Sequence, residues 1–299
     1  MQWLRISTLL LLLMPLNVLS SALTRDMVVL TSPDFEGRPS GAKVPHRSAF
    51  YIMRQFEKPG LDVQISSFEF KRGFFETGTG HNVVATKHCT SKECHAPIVI
   101  TAHYDHLGSS GYRHYPGAND NATGVAVMMD IARRLKGIQL DRNIVFVATD
   151  AEEKGLHGAK HYVAQIGDDP VFMNINLDML SIQKRNTLYA LASKDFKPLK
   201  TQIESQFSNQ LVQLTVFFSS KRMARKLNAP KIDWLRASDH YPFHRAKIPF
   251  IYFGSGLDKN HHSTDDSLDK INLEKLAQVS KSITGVVLSL ASVNASDTN

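Results

Sequence analysis

The chain has 299 residues, 42% of them hydrophobic, 21% charged and 9% aromatic. That balance excludes a disordered or collagen-like protein, and two cysteines exclude a small disulfide-built scaffold. The net charge of +7 is diluted over this length and no nucleic-acid-binding motif accompanies it, so no nucleic-acid partner is expected.

Residues 1–5 carry one positive charge and no acid, residues 6–19 read ISTLLLLLMPLNVL, and Ser20, Ser21 and Ala22 follow. These are the three regions of a secretory signal, with cleavage expected after Ala22. The apolar run is shorter than the ~20 residues that span a bilayer, so no stable membrane anchor is expected. No cysteine follows it to take a lipid. The protein is therefore read as exported, either secreted or periplasmic. In an oxidising compartment Cys89 and Cys94, within HCTSKECH, read as a local disulfide pinning a loop. Zinc binding with the flanking His88 and His95 is the alternative, although the spacing fits the common zinc modules poorly.

Along residues 23–61 the pattern is helix, loop, helix. The loop SPDFEGRPSG is punctuated by proline and glycine, and the second helix covers 48–58. Residues 62–70 alternate as a strand. Continuous apolar runs at 97–102, 143–149, 173–179 and 249–254 then read as buried strands, and 211–218 as a further strand. Helical spacing marks 120–136, 158–166, 197–209 and 273–290. Short apolar strands alternating with helices predict an α/β fold with a sheet covered on both faces. No repeat or linker divides the chain, so 23–299 is read as one domain, with 291–299 a flexible tail.

Histidines and carboxylates gather where these strands end. His103 and Asp105 follow the first run, Asp120 sits at the entry to the next helix, Glu152 and Glu153 follow FVATDA, Asp178 follows NINL, and His262 lies in NHHSTDD after IYFG. In open α/β sheets the ligand crevice lies outside the carboxyl edge. Taken as ligands, His103, Asp120, Glu153, Asp178 and His262 bring three negative charges. Two zinc ions and one bridging hydroxide balance them, whereas a single zinc leaves the cluster over-acidic. Imidazole with carboxylate suits zinc better than calcium or magnesium.

The ordered set AHYDH, GANDNATG, ATDAEEKGLHGAKHY, INLDM, SDHYPF and HHSTDD resembles the M28 (Zn-dependent) family of metallopeptidases, as does the early LTSPDFEGRPSG with KPGL. The resemblance covers nearly the whole chain after the signal. It implies a three-layer α/β/α sandwich around a mixed, largely parallel sheet, with two co-catalytic zinc ions per chain. By the same resemblance Asp120 is the bridging carboxylate, His103 and Asp178 serve one zinc, and Glu153 and His262 serve the other. Glu152 is the general base and Asp105 orients His103. His106 and Asp266 are read as structural. The family often has Tyr before the last histidine. Here His261 stands in that place, so His261 or Tyr241 is the expected contact to the reacting carbonyl.

The activity so implied is hydrolysis of the N-terminal bond of peptides with a free N-terminus. Two alternatives share the scaffold: a glutaminyl-cyclase-like acyltransferase and a non-catalytic binding relative. Ser238, Asp239 and His240 carry the letters of a serine triad, but neighbours in sequence do not reach triad geometry and no GxSxG elbow exists. They are read as support for the pocket wall. The run Lys221, Arg222, Arg225, Lys226 is read as a solvated basic face, and the sequon at Asn121 as unusable inside the metal loop.

Overall fold

A computed structural model describes residues 21–72, 76–182, 186–208 and 211–291. Nearly all of the proposed signal, and residues 292–299 of the tail, lie outside these residues. The chain begins with α1 (Ala22–Leu30), where the Ser21 side chain accepts from the backbone N–H of Thr24 and caps the helix. Leu23, Met27 and Leu30 recur at helical spacing and are buried. After α2 (Arg47–Glu57) come β1 (Asp62–Lys71), β2 (Thr77–Lys87), β3 (His95–His103) and a small hairpin, β4 (Ser109–Ser110) with β5 (Arg113–His114). Then follow α3 (Thr123–Arg134), β6 (Arg142–Thr149), α4 (His157–Ile166), β7 (Met173–Leu177), β8 (Thr187–Ala192), α5 (Lys200–Ser205) and β9 (Gln213–Phe217). The last elements are α6 (Ser220–Lys226), α7 (His240–Arg245), β10 (Phe250–Gly254) and α8 (Leu273–Ala291).

Eight strands form one sheet in the order β1-β2-β6-β3-β7-β10-β8-β9. At its centre β6, β3, β7 and β10 run parallel, while β2 and β8 join antiparallel on either side. Side chains alternate between the faces of a strand, which separates two cores. Ile98, Ile100 and Ala102 of β3 pack with Met27, Ile52, Val127 and Ile283 on the face covered by α1, α2, α3, α5 and α8. Val99, between them, packs with Val84, Val147, Ala159 and Phe243 on the face covered by α4 and α7. Tyr189, Met223, Trp234 and Tyr252 continue that second layer around α6. The fold is thus the expected three-layer α/β/α arrangement on a mixed sheet.

Two predicted helices are shorter than their periodicity indicates. The helix expected from residue 120 starts at Thr123, because Asp120 (φ −110°, ψ 93°) and Asn121 (φ −131°, ψ 43°) leave helical geometry. The helix expected over 197–209 is found only as α5, Lys200–Ser205, after a 3-10 turn at Lys194–Phe196. Strands β2 and β8 and helices α6 and α7 were not expected from the sequence.

His240 shows how burial tunes a group in this core. Its ring lies between Phe250 and Tyr252, with both centroid distances 4.9 Å, and its Nε2 faces the Trp234 carbonyl at 3.0 Å. Burial lowers its pKa from 6.5 to about 3. The unfolded chain therefore binds a proton that the folded protein refuses. The stability this gives is complete above pH 6.5 and is lost as pH falls towards 3. In denaturant titrations, moving wild type from pH 7 to pH 5 should cost about 2 kcal/mol more than it costs His240→Gln, which keeps a donor without titrating.

Candidate metal centre

The four central parallel strands end on one edge, and each delivers part of the site from its carboxyl end. His103 is the last residue of β3, Asp178 directly follows β7, Glu152 and Glu153 follow β6, and His261 and His262 lie in the loop after β10. Asp120 enters from the turn Ala118–Ala122 that leads into α3. That turn is fixed on several sides. Asp266 accepts from the backbone N–H groups of Asn119 (2.7 Å) and Asp120 (2.9 Å). The Asn121 side chain accepts from Gly124 and Met179 N–H and donates to the Leu177 carbonyl, so its amide is fully engaged and buried.

Beneath the turn lies Arg38, a fully buried guanidinium. It donates to the carbonyls of Tyr104 (2.8 Å), Leu30 (2.7 Å), Pro116 (2.6 Å) and Gly117 (2.7 Å), with a longer contact to Asp120 (3.4 Å). Burial lowers its pKa to about 10, against the opposing pull of Asp120, Asp266, Asp105 and Glu153. Gly117, at φ +55°, leaves no room for a Cβ beside Arg38 and His106.

The candidate ligand atoms gather around Asp120 in two groups. His103 Nε2 lies 3.3 Å from Asp120 Oδ1 and 3.4 Å from Asp178 Oδ1. His262 Nε2 lies 3.3 Å from Asp120 Oδ2 and 3.0 Å from Glu153 Oε2. His261 Nε2 also approaches Asp120 Oδ2, at 3.2 Å, with its ring stacked on that of His262. His106, read from sequence as structural, stands inside this second group, with Nδ1 2.9 Å from Glu153 Oε1 and 3.8 Å from Asp120 Oδ2. The donor set of imidazoles and carboxylates fits zinc. So does Asp178 Oδ1, a buried acceptor without a hydrogen-bond partner.

Electrostatics separates these acids. Burial would raise the Asp120 carboxyl, but donors from His103, His261 and His262 overcome it and hold the group well below the usual range. Glu153 is likewise buried, yet His106 and His262 bring it down to about 2. Glu152 goes the other way: burial raises it well above the usual carboxylate range, helped by Asp239, Asp178 and Glu153 and opposed by His103. Asp105 fixes the base of both glutamates, accepting from the backbone N–H of Glu152 (3.0 Å) and of Glu153 (3.3 Å). His103 Nδ1 faces the Asp105 backbone carbonyl at 3.2 Å and its carboxylate at 3.8 Å.

A cavity of about 220 Å³ opens over the cluster. Besides the acids and histidines it is lined by Met179, Ile232, Trp234, Tyr252 and Leu257, which give it an apolar part. Tyr241 is in α7 and does not line this cavity, whereas Tyr252 does. Ser238 and Asp239 are buried in the layer below. Ser238 accepts from Asn176, and Asp239 accepts from the Thr149 hydroxyl. Cys89 and Cys94 are disulfide-bonded, with Cα atoms 6.1 Å apart, just before the start of β3 and so at the other end of that strand from His103.

Residues 82–287 match the family model described as Peptidase family M28. Aminopeptidase YwaD of Bacillus subtilis (strain 168) is 32% identical over 226 residues, which are 71% of this chain and 45% of that protein. The alkaline phosphatase isozyme conversion protein of Escherichia coli (strain K12) is 32% identical over 165 residues, 50% of this chain and 48% of its own. The chain thus spans about half the length of these curated relatives. Among solved structures, BSAP, a zinc aminopeptidase from Bacillus subtilis, superposes with a TM-score of 0.71 at 19% identity, covering 91% of this chain and 97% of that one. A Fimbriiglobus ruber glutaminyl cyclase superposes with a TM-score of 0.66 at 19% identity, covering 88% and 92%. The architecture is therefore the one that zinc aminopeptidases and glutaminyl cyclases share. Within it, the chain belongs to peptidase family M28.

Proposed function

We propose that the protein is a zinc-dependent exopeptidase that hydrolyses the peptide bond following a free N-terminal residue. The observation that carries this reading is the division of Asp120, whose Oδ1 faces His103 while its Oδ2 faces His262. A carboxylate with each oxygen in a different ligand group supports two zinc ions per chain. His103, Asp120 and Asp178 would hold one, and Asp120, Glu153 and His262 the other. Zinc bound there supplies positive charge that acidifies the attacking water and stabilises negative charge on the scissile carbonyl oxygen.

Glu152 lies at the same cavity, outside both ligand groups, with its backbone fixed by Asp105. From there its carboxylate can take a proton from the attacking water and pass it to the leaving amine. His261, Tyr252 and Trp234 line the cavity and offer donors to the carbonyl oxygen, the Trp234 indole N–H being without another partner among the described residues. The substrate's α-ammonium group finds the acidic ligands. Its first side chain finds Ile232, Trp234 and Leu257, which favours apolar N-terminal residues.

This reading takes 23–299 as one catalytic domain and 1–22 as an export signal, so that the enzyme acts outside the cytoplasm. No helix among the described residues is long and apolar enough to cross a membrane.

Chelation should abolish hydrolysis of leucyl amides and peptides, and zinc should restore it as metal content returns to two ions per chain. N-acetylated substrates should remain intact. Cyclisation of N-terminal glutamine without peptide hydrolysis would instead support the acyltransferase reading, which the likeness to the Fimbriiglobus ruber enzyme keeps in view.

A further inference from the structure

A second cavity, of about 330 Å³, adjoins the catalytic one, and Leu257 and Asp258 line both. It differs from its neighbour in charge. The catalytic cavity is walled by acids, whereas two exposed lysines, Lys226 and Lys259, line this one. Among the described residues Asp258 is its one lining acid, and both of its oxygens are engaged within the fold. Oδ2 accepts from the Asn119 side chain (2.8 Å) and Oδ1 from the Asn260 N–H (2.9 Å).

The lysines come from distant parts of the chain. Lys226 ends α6 and Lys259 lies in the loop that carries His262. Gly256 lets the two segments meet. At φ +85° it sits where a Cβ would be 2.9 Å from Leu227 Cδ2, so the loop packs directly on the residue after Lys226. Arg225, beside Lys226 in the last turn of α6, does not line the cavity. A favourable charge at a helix end accounts for both residues, but only Lys226 is placed on the cavity. Tyr189 and Leu227 give the cavity an apolar side.

We propose that this second cavity takes a carboxylate-bearing part of the substrate, held by Lys226 and Lys259. The preferred substrates are then short peptides whose C-terminal carboxylate reaches it, or peptides with an acidic side chain at that point. This rests on the peptidase reading of the neighbouring site. A substrate lying across both cavities has its ammonium end at the acids and its carboxylate end at the lysines, and each charge meets its opposite.

The test compares kcat/KM of the zinc-loaded enzyme for Leu-Ala and Leu-Ala-Ala, for the same peptides with amidated C-termini, and for amidated Leu-Glu. Free-carboxylate peptides should be preferred over their amides by about tenfold, mainly through KM, a difference that added salt diminishes. A preference for free over amidated peptides assigns the site to the C-terminus, and a faster rate on amidated Leu-Glu than on amidated Leu-Ala assigns it to an acidic side chain. In Lys226→Gln/Lys259→Gln the ratio should fall to about one, and Lys226→Arg/Lys259→Arg should retain it. Equal rates in wild type on the free peptides, their amides and amidated Leu-Glu would overturn the proposal while leaving the peptidase reading intact. If nothing is hydrolysed, calorimetric binding of Leu-Ala and its amide still decides. Tighter binding of the free acid that the double Gln variant loses sustains the lysine site, and equal or absent binding overturns it.

Discussion

Replacing Glu152 with Gln should reduce kcat by at least about 10³-fold, with zinc content and fold unchanged. Gln keeps the length and planar shape of Glu but cannot accept a proton from water. Glu152 borders the cavity without belonging to either metal-ligand group, so its loss leaves those groups whole. Its backbone N–H stays on Asp105 whatever the side chain. The control is Glu153→Gln, one residue along, which weakens a contact to His262 and should lower metal content as well as rate. Parallel measurement of bound zinc and of kcat separates the two roles. Full activity in Glu152→Gln would sink the general-base assignment, and loss of metal from it would move Glu152 into the ligand set.

Asp120→Ala should have the broader effect: loss of both bound metals together with activity, and loss of the thermal stabilisation that zinc gives the wild-type protein. Each Asp120 oxygen serves a different group, so one substitution opens both. Asp178→Ala, by contrast, removes a ligand from one group and should spare metal binding in the other. Metal content after dialysis against a weak chelator measures both. Two zinc ions retained in Asp120→Ala would overturn the bridging role.

Much of this architecture was legible because its signal is local. The parallel strands β3, β6, β7 and β10 are buried on both faces, and such strands read as continuous apolar runs. In α8, Leu276, Val279, Ile283, Val286, Val287 and Leu290 recur at helical spacing and are the residues found buried. Strand β2 was harder to see. TGTGHNVVATK begins with glycine and threonine, and its place between β1 and β6 is set by long-range pairing. Strand β8, TLYALA, is rich in leucine and alanine, which suit a helix as well. Helices α6 and α7 have seven and six residues, too few to show a period.

The site divides in the same way. His103, Asp120, Glu153, Asp178 and His262 could be listed from their positions after strands and from the family resemblance. Arg38 could not, because its guanidinium donates to backbone carbonyls and a carbonyl looks the same in every residue. The placement of His106 beside Glu153 depends on how the chain turns after β3. Tyr252 is hidden within a continuous apolar strand, IYFG. The signal that could have found it is the odd polar tip in a run otherwise without one.

The grip of Arg38 also bears on where a working unit can be cut. The family match begins at residue 82, yet the carbonyls that precede Asp120 rest on a guanidinium supplied 44 positions earlier. The segment that carries Arg38 is anchored in turn by α1, through the Leu30 carbonyl. A chain begun at the family boundary would keep the five residues proposed as ligands and lose the platform beneath one of them. Domain swaps or chimeras with relatives should therefore carry the stretch from Ser21 onward as a unit with the metal loop, since the early helix and the late turn were shaped to each other.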